Sequence, residues 1–107
     1  MTPTEKSAHD AATEVVRLLA ARGATLAVAE SLTGGLLTAE LVGVPGASAV
    51  LRGGVVAYMS DLKTTLLDVD PDLLAREGAV HPEVAAAMAL GVARRLGADH
   101  GVATTGR

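Results

Sequence analysis

The 107-residue chain contains no cysteine, phenylalanine, tryptophan or isoleucine, and Tyr58 is its one aromatic residue. Without cysteine there is no disulfide framework, no thiolate nucleophile and no cysteine-ligated zinc or iron–sulfur site, and nothing points to an oxidising compartment. The dearth of aromatics argues against a reader of single-stranded nucleic acid, which stacks bases on aromatic faces and follows the backbone with a basic groove. A formal net charge of −3 argues the same way, so no nucleic-acid partner is expected. The longest apolar run, Val84 to Ala93, falls short of the roughly eighteen residues that cross a bilayer. Met1 to Asp10 shows no basic region followed by an apolar stretch, so neither a leader nor a membrane partner is expected. These readings together predict a soluble, cytoplasmic protein. His9, His81 and His100 do not recur one helical turn apart, and no carboxylate stands at ligand spacing to two of them, so no metal site is expected.

What is there is aliphatic. Half of the residues are hydrophobic and 20% charged, a globular balance, and alanine, leucine and valine supply nearly all of the apolar set. The length suits one small domain with a single core. Ala8, Ala11, Ala12, Val15, Leu18 and Leu19 share one helical stripe, which predicts a helix from about Glu5 to Arg22 stopped by Gly23. Thr25 to Ala29 reads as a strand, Glu30 to Gly35 as a polar turn, and Leu36 to Val42 as a helix. Val50 to Met59 reads as a second strand, with a bulge or a close backbone approach at Gly53-Gly54. Ser60 to Lys63 leads into a short amphipathic piece, Thr64 to Val69. Pro71 opens a short helix ending near Gly78, and His81-Pro82-Glu83 opens a longer one stopped by Gly97. Asp99 to Thr105 reads as a third strand.

Strands separated by helices indicate an α/β fold with a largely parallel core sheet, helices on both faces, and ligand-binding loops at the carboxyl ends of the strands. Three strands are few for that architecture, so the domain reads as incomplete.

The segment Glu30-Ser31-Leu32-Thr33-Gly34-Gly35 follows a strand and opens a helix, where hydroxyls and glycine N–H groups suit a phosphate or a developing oxyanion. The plainer alternative is that Ser31 or Thr33 caps the helix and the glycines make the turn. In a parallel sheet, Tyr58-Met59-Ser60-Asp61-Leu62-Lys63 faces the same crevice. A serine needs a base, the histidines are poorly placed to supply one, and lysine is the remaining choice. Bringing a lysine from about 10.4 to near 7 takes roughly 4 to 5 kcal/mol of bias against its charged form, which partial burial and a nearby dipole can supply. The alternatives are a solvated Lys63 and a half-buried strand tyrosine at Tyr58. His81 is most simply a helix-entry residue, and Arg52 either contacts an anion or is solvated.

Several motifs acquire more meaning in combination: Ala29-Glu30-Ser31-Leu32-Thr33-Gly34-Gly35, Val44-Pro45-Gly46-Ala47-Ser48, Arg52-Gly53-Gly54-Val55-Val56-Ala57-Tyr58, Lys63, Gly78-Ala79-Val80, and Leu96-Gly97-Ala98-Asp99 followed by Thr105-Gly106. In order and spacing, from about Leu26 to Gly106, they resemble the CinA carboxy-terminal domain family. The resemblance implies a three-layer α/β/α sandwich, often a homodimer, and a nicotinamide mononucleotide deamidase that releases nicotinate mononucleotide and ammonia in pyridine nucleotide salvage. It implies a small nucleotide as substrate, with no cofactor and no metal. Carried over by position, Ser31 is the nucleophile, Lys63 the base, and Tyr58 a hydroxyl assisting the pair or the substrate. Glu30, Thr33, Gly34, Gly35, Thr105 and Gly106 are the expected substrate-binding residues.

The family usually has a small polar residue where His81 stands, a difference tolerable at a helix cap. Family members also continue past the Thr105-Gly106 equivalent into a glycine-rich loop, further strands, a helix and a substrate-binding arginine. Residues 1–107 are therefore expected to form a single domain lacking roughly its last third, with activity lowered or lost. The alternative function is a non-catalytic nucleotide-binding or interaction module of the competence/damage-inducible type, and a third reading is a fragment with no function of its own.

Overall fold

The computed structural model describes residues 3–106. Helix α1 (Pro3–Arg22) leads into strand β1 (Leu26–Glu30), helix α2 (Leu36–Val42), a 3-10 turn (Ala47–Ala49) and strand β2 (Leu51–Val56). Helices α3 (Ser60–Leu67), α4 (Pro71–Glu77) and α5 (Pro82–Leu96) follow, and then strand β3 (His100–Ala103). The strands form one parallel sheet in the order β2-β1-β3.

Every residue of β1 is buried, as a central parallel strand covered on both faces must be. Its alternating side chains feed two separate cores. Leu26 and Val28 pack with Ala12 and Val16 of α1 and Leu41 of α2, while Ala27 and Ala29 turn to Leu67 of α3 and to Val84, Met88 and Val92 of α5. The result is the expected three-layer α/β/α sandwich, and it positions the carboxyl end of β1 between the helical layers. The second core depends on close helix packing, because a Cβ on Gly91 of α5 would stand 1.8 Å from the Leu67 carbonyl oxygen.

Strand ends are tied by side chains that a periodicity argument does not see. At the start of the sheet Thr25 and Asp99 exchange hydrogen bonds, with Thr25 N and Oγ1 donating to Asp99 Oδ2 and Asp99 N donating to Thr25 Oγ1. The third strand is accordingly shorter than expected. The register of β1 against β2 skips Arg52, which places the expected irregularity one residue before the glycine pair. Arg52 is exposed, and its Nε donates to the Leu96 carbonyl at the end of α5.

The largest departure lies between β2 and α3. The second strand stops at Val56 instead of Met59, and Ser60 to Leu67 is one helix instead of a lead-in followed by an amphipathic piece. Lys63 is therefore helical, one turn before the buried Leu67. The helix closes in a left-handed Asp68 at φ 58°, whose N–H donates to the Thr64 carbonyl, the bond of an αL stop, and Val69 N donates to Lys63 O. α5 begins as its sequence predicts, with His81 Nδ1 accepting from Glu83 N.

Candidate active site

Ser31 is the first residue beyond β1, and Lys63 stands on the inner face of α3. Both are buried, at 2% and 1% exposure. Lys63 Nζ lies 3.0 Å from Ser31 Oγ, 2.8 Å from the Ala57 carbonyl oxygen and 3.1 Å from the Tyr58 carbonyl oxygen. Among the described residues no carboxylate pairs with this ammonium, and burial lowers its pKa from the ordinary lysine value.

The three partners fix what the pair can do. Two are carbonyl oxygens, which only accept, so they take two N–H bonds from the lysine in either protonation state. The third position faces a hydroxyl, which can accept from an ammonium or donate to a neutral amine. Lys63 can thus pass from charged to neutral without changing partners, and in the neutral state its lone pair points at the Ser31 proton. That is the geometry of a general base beside a nucleophile.

Tyr58, expected to supply a hydroxyl to the pair or to the substrate, meets the pair through its main chain. Its side chain is 65% exposed, and the atom that touches the pair is its main-chain oxygen. The ring is not a half-buried strand aromatic either, because β2 has already ended.

Glu30 is also placed otherwise than expected. Its side chain is fully buried and bound to the start of α2: Oε1 accepts from Leu37 N at 2.9 Å, and Oε2 accepts from Thr38 N at 2.9 Å and Thr38 Oγ1 at 2.6 Å. Burial opposes its ionisation, but the hydroxyls of Thr33 and Thr38 and the N–H groups of Thr38 and Leu37 outweigh it and hold its pKa at about 2. The residue preceding α2 is Gly35 at φ 109°, with no side-chain cap. Neither Ser31 nor Thr33 caps the helix. The anion that takes the Leu37 and Thr38 N–H groups at the start of α2 is the protein's own carboxylate.

The remaining expected residues converge on the rim of the turn. Thr33 Oγ1 lies 2.7 Å from Thr104 Oγ1, which joins the loops after β1 and β3. Thr105 Oγ1 donates to the Ala79 carbonyl at 2.7 Å. Gly106 abuts Leu32, since a Cβ there would stand 3.0 Å from that side chain. Gly34 and Gly35 supply the positive φ values of the turn. Thr104 went unnoticed in the sequence, where it reads as one more strand residue; its signal is the Thr104-Thr105 pair at a strand's carboxyl end. Thr33 and Thr104 also stand on the wall of an apolar cavity of about 610 Å³ beside α1 and α2. Thr104 and Thr105 border a second cavity of about 390 Å³ with His81. Ser31 and Lys63 line neither.

The family model for the CinA C-terminal domain matches residues 8–107. The chain belongs to that family. A CinA-like protein from Frankia casuarinae is 61% identical over 92 residues, which are 86% of this chain and 21% of that protein. Among solved structures, a CinA superfamily protein from Escherichia coli aligns with a TM-score of 0.84 at 30% identity, over 92% of this chain and 57% of that one. A competence/damage inducible protein from Agrobacterium tumefaciens aligns with a TM-score of 0.80 at 33% identity, over 89% of this chain and 56% of that one. The chain thus spans about a fifth of the length of such curated CinA relatives and a little over half of the solved CinA chains. Among the described residues, no helix is long and apolar enough to cross a membrane.

Proposed function

We propose that this CinA domain hydrolyses the carboxamide of nicotinamide mononucleotide, with Ser31 as nucleophile and Lys63 as its base, in pyridine nucleotide salvage. The observation that carries the reading is the buried 3.0 Å contact between Lys63 Nζ and Ser31 Oγ, with two carbonyls occupying the other lysine hydrogens. The choice of substrate rests on the family.

In the forward step Ser31 Oγ forms a bond to the carboxamide carbon as its proton passes to Lys63 Nζ. The C–N bond then breaks, and Lys63 returns the proton to the departing nitrogen, which leaves as ammonia. A water next gives a proton to the neutral Lys63 as its oxygen attacks the ester carbon; the bond from that carbon to Ser31 Oγ breaks, Lys63 passes the proton to Oγ, and nicotinate mononucleotide leaves. Thr33, Gly34, Gly35, Thr105 and Gly106, together with Thr104, form the rim that would meet the nucleotide. Glu30 would act from beneath the turn, and Tyr58 through its carbonyl. A homodimer belongs to the same proposal, and light scattering tests it.

A second reading is favoured by the burial of the pair itself. With Ser31 and Lys63 both sealed from solvent, the domain would bind a nucleotide on its rim without turnover. Ammonia release from nicotinamide mononucleotide, measured beside calorimetric binding, separates the two. Turnover supports the deamidase, and binding with no ammonia supports the module.

A further inference from the structure

We propose that Glu30 is a positioning residue that holds Ser31 against Lys63. Its side chain fastens α2 and its main chain fastens the segment that carries the lysine's acceptors.

The links form a closed circuit. The Glu30 carboxylate takes Leu37 N, Thr38 N and Thr38 Oγ1, which closes the base of the turn 31–36. The Glu30 carbonyl oxygen accepts from Ala57 N at 2.8 Å. The Ala57 carbonyl oxygen accepts from Lys63 Nζ at 2.8 Å, and Lys63 Nζ reaches Ser31 Oγ, the residue next to Glu30. One residue therefore sets the position of both members of the pair, the serine through the turn it closes and the lysine through the carbonyl it anchors.

A carboxylate is the group this circuit needs. Both of its oxygens accept, and the α2 end presents two N–H groups and a hydroxyl. In Glu30→Gln the volume is kept, but one oxygen becomes an NH₂ that faces an N–H donor. Thr38→Val is gentler, keeping the branched shape and removing the hydroxyl bond alone. A burial penalty is also managed here, because an unsatisfied carboxylate at this depth would be costly.

The kinetic arm of the test rests on the deamidase reading; the spectroscopic arm does not. Both variants are compared with the full 107-residue chain, with folding followed by circular dichroism. Ammonia release from nicotinamide mononucleotide gives kcat and KM, and carbon NMR of the Lys63 side chain gives its titration midpoint. In Glu30→Gln, kcat falls by about tenfold or more while KM stays within about twofold, the pattern of a lost transition-state arrangement. The Lys63 midpoint moves further below the ordinary lysine value, because the loosened carbonyl acceptors and the lost carboxylate charge both leave the buried ammonium less stabilised. Thr38→Val moves both in the same direction by less.

A folded Glu30→Gln that loses stability yet keeps kcat and the Lys63 midpoint makes Glu30 merely structural and overturns the proposal. If that variant does not fold, Thr38→Val decides, and an unmoved Lys63 midpoint overturns it. If the unaltered chain releases no ammonia, the deamidase reading fails, and the Lys63 midpoint alone decides the positioning role.

Discussion

A Cβ added to Gly54 would stand 2.4 Å from the hydroxyl oxygen of Thr38, so the bare backbone of β2 leaves the space in which Thr38 grips Glu30. Gly54→Ala is expected to destabilise the domain by about 1 to 3 kcal/mol, because the hydroxyl it strikes is held and cannot swing away freely. Thr38→Ala removes the obstacle at the cost of its own hydrogen bond. Urea unfolding of the two single variants and the double one should show single costs that sum to more than the double cost.

Acid sensitivity follows from the same carboxylate. Glu30 has a folded pKa of about 2, below its ordinary 4.5, so its ionised form favours the folded state. That contribution is present above about pH 4.5 and is lost as the pH falls toward 2, on the order of 3 kcal/mol in all. Glu30→Gln should be less stable than the unaltered chain near neutrality and approach it near pH 2. Unfolding midpoints measured across that range check the convergence, and a constant gap would contradict it.

Gly91 supplies a test of the core away from the site. The atom that a methyl group would strike, at 1.8 Å, is the main-chain oxygen of Leu67 and not the end of a flexible side chain. Gly91→Ala must push α5 from α3, with an expected cost at or above the upper end of overpacking, about 3 kcal/mol. Thermal unfolding reads this directly, and a cost under about 1 kcal/mol would show that the helices have slack.

Much of this was legible in the chain before its structure. The change from a short apolar run at Leu26 to a helical stripe after Gly35 placed β1, the turn and α2, and the glycine stops at Gly23, Gly78 and Gly97 fall where helices end. Lys63 was not legible as helical. Met59 precedes α3 in an extended conformation with no side-chain cap, so the usual starting signal is absent. The contact of Tyr58 with the pair was not legible for another reason: it is made by a carbonyl oxygen, which every residue type carries. Glu30 beside a candidate nucleophile reads as a ligand for substrate. The clue to its actual place was Gly34-Gly35, which leaves α2 without a side-chain cap and so requires an acceptor from elsewhere.

The pH dependence of catalysis follows from Lys63. Burial lowers its pKa, so the neutral base becomes available below the ordinary 10.4. On the deamidase reading kcat/KM rises with pH as Lys63 loses its proton, with a midpoint below that value. Lys63→Arg should not restore activity, since a guanidinium stays protonated and cannot accept the serine proton. A pH profile that is flat from about pH 6 to 9, or an active arginine variant, would exclude the lysine as base.

The central claim is that Ser31 attacks the carboxamide, and the rate of ammonia release from nicotinamide mononucleotide by Ser31→Ala beside the unaltered chain tests it most directly. The account predicts that the variant binds the nucleotide within a few-fold of the original, because one small hydroxyl adds little uniform binding, and that its turnover falls by about a thousandfold or more. A Ser31→Ala protein that keeps most of its turnover would contradict the account and assign the attack to a directly activated water.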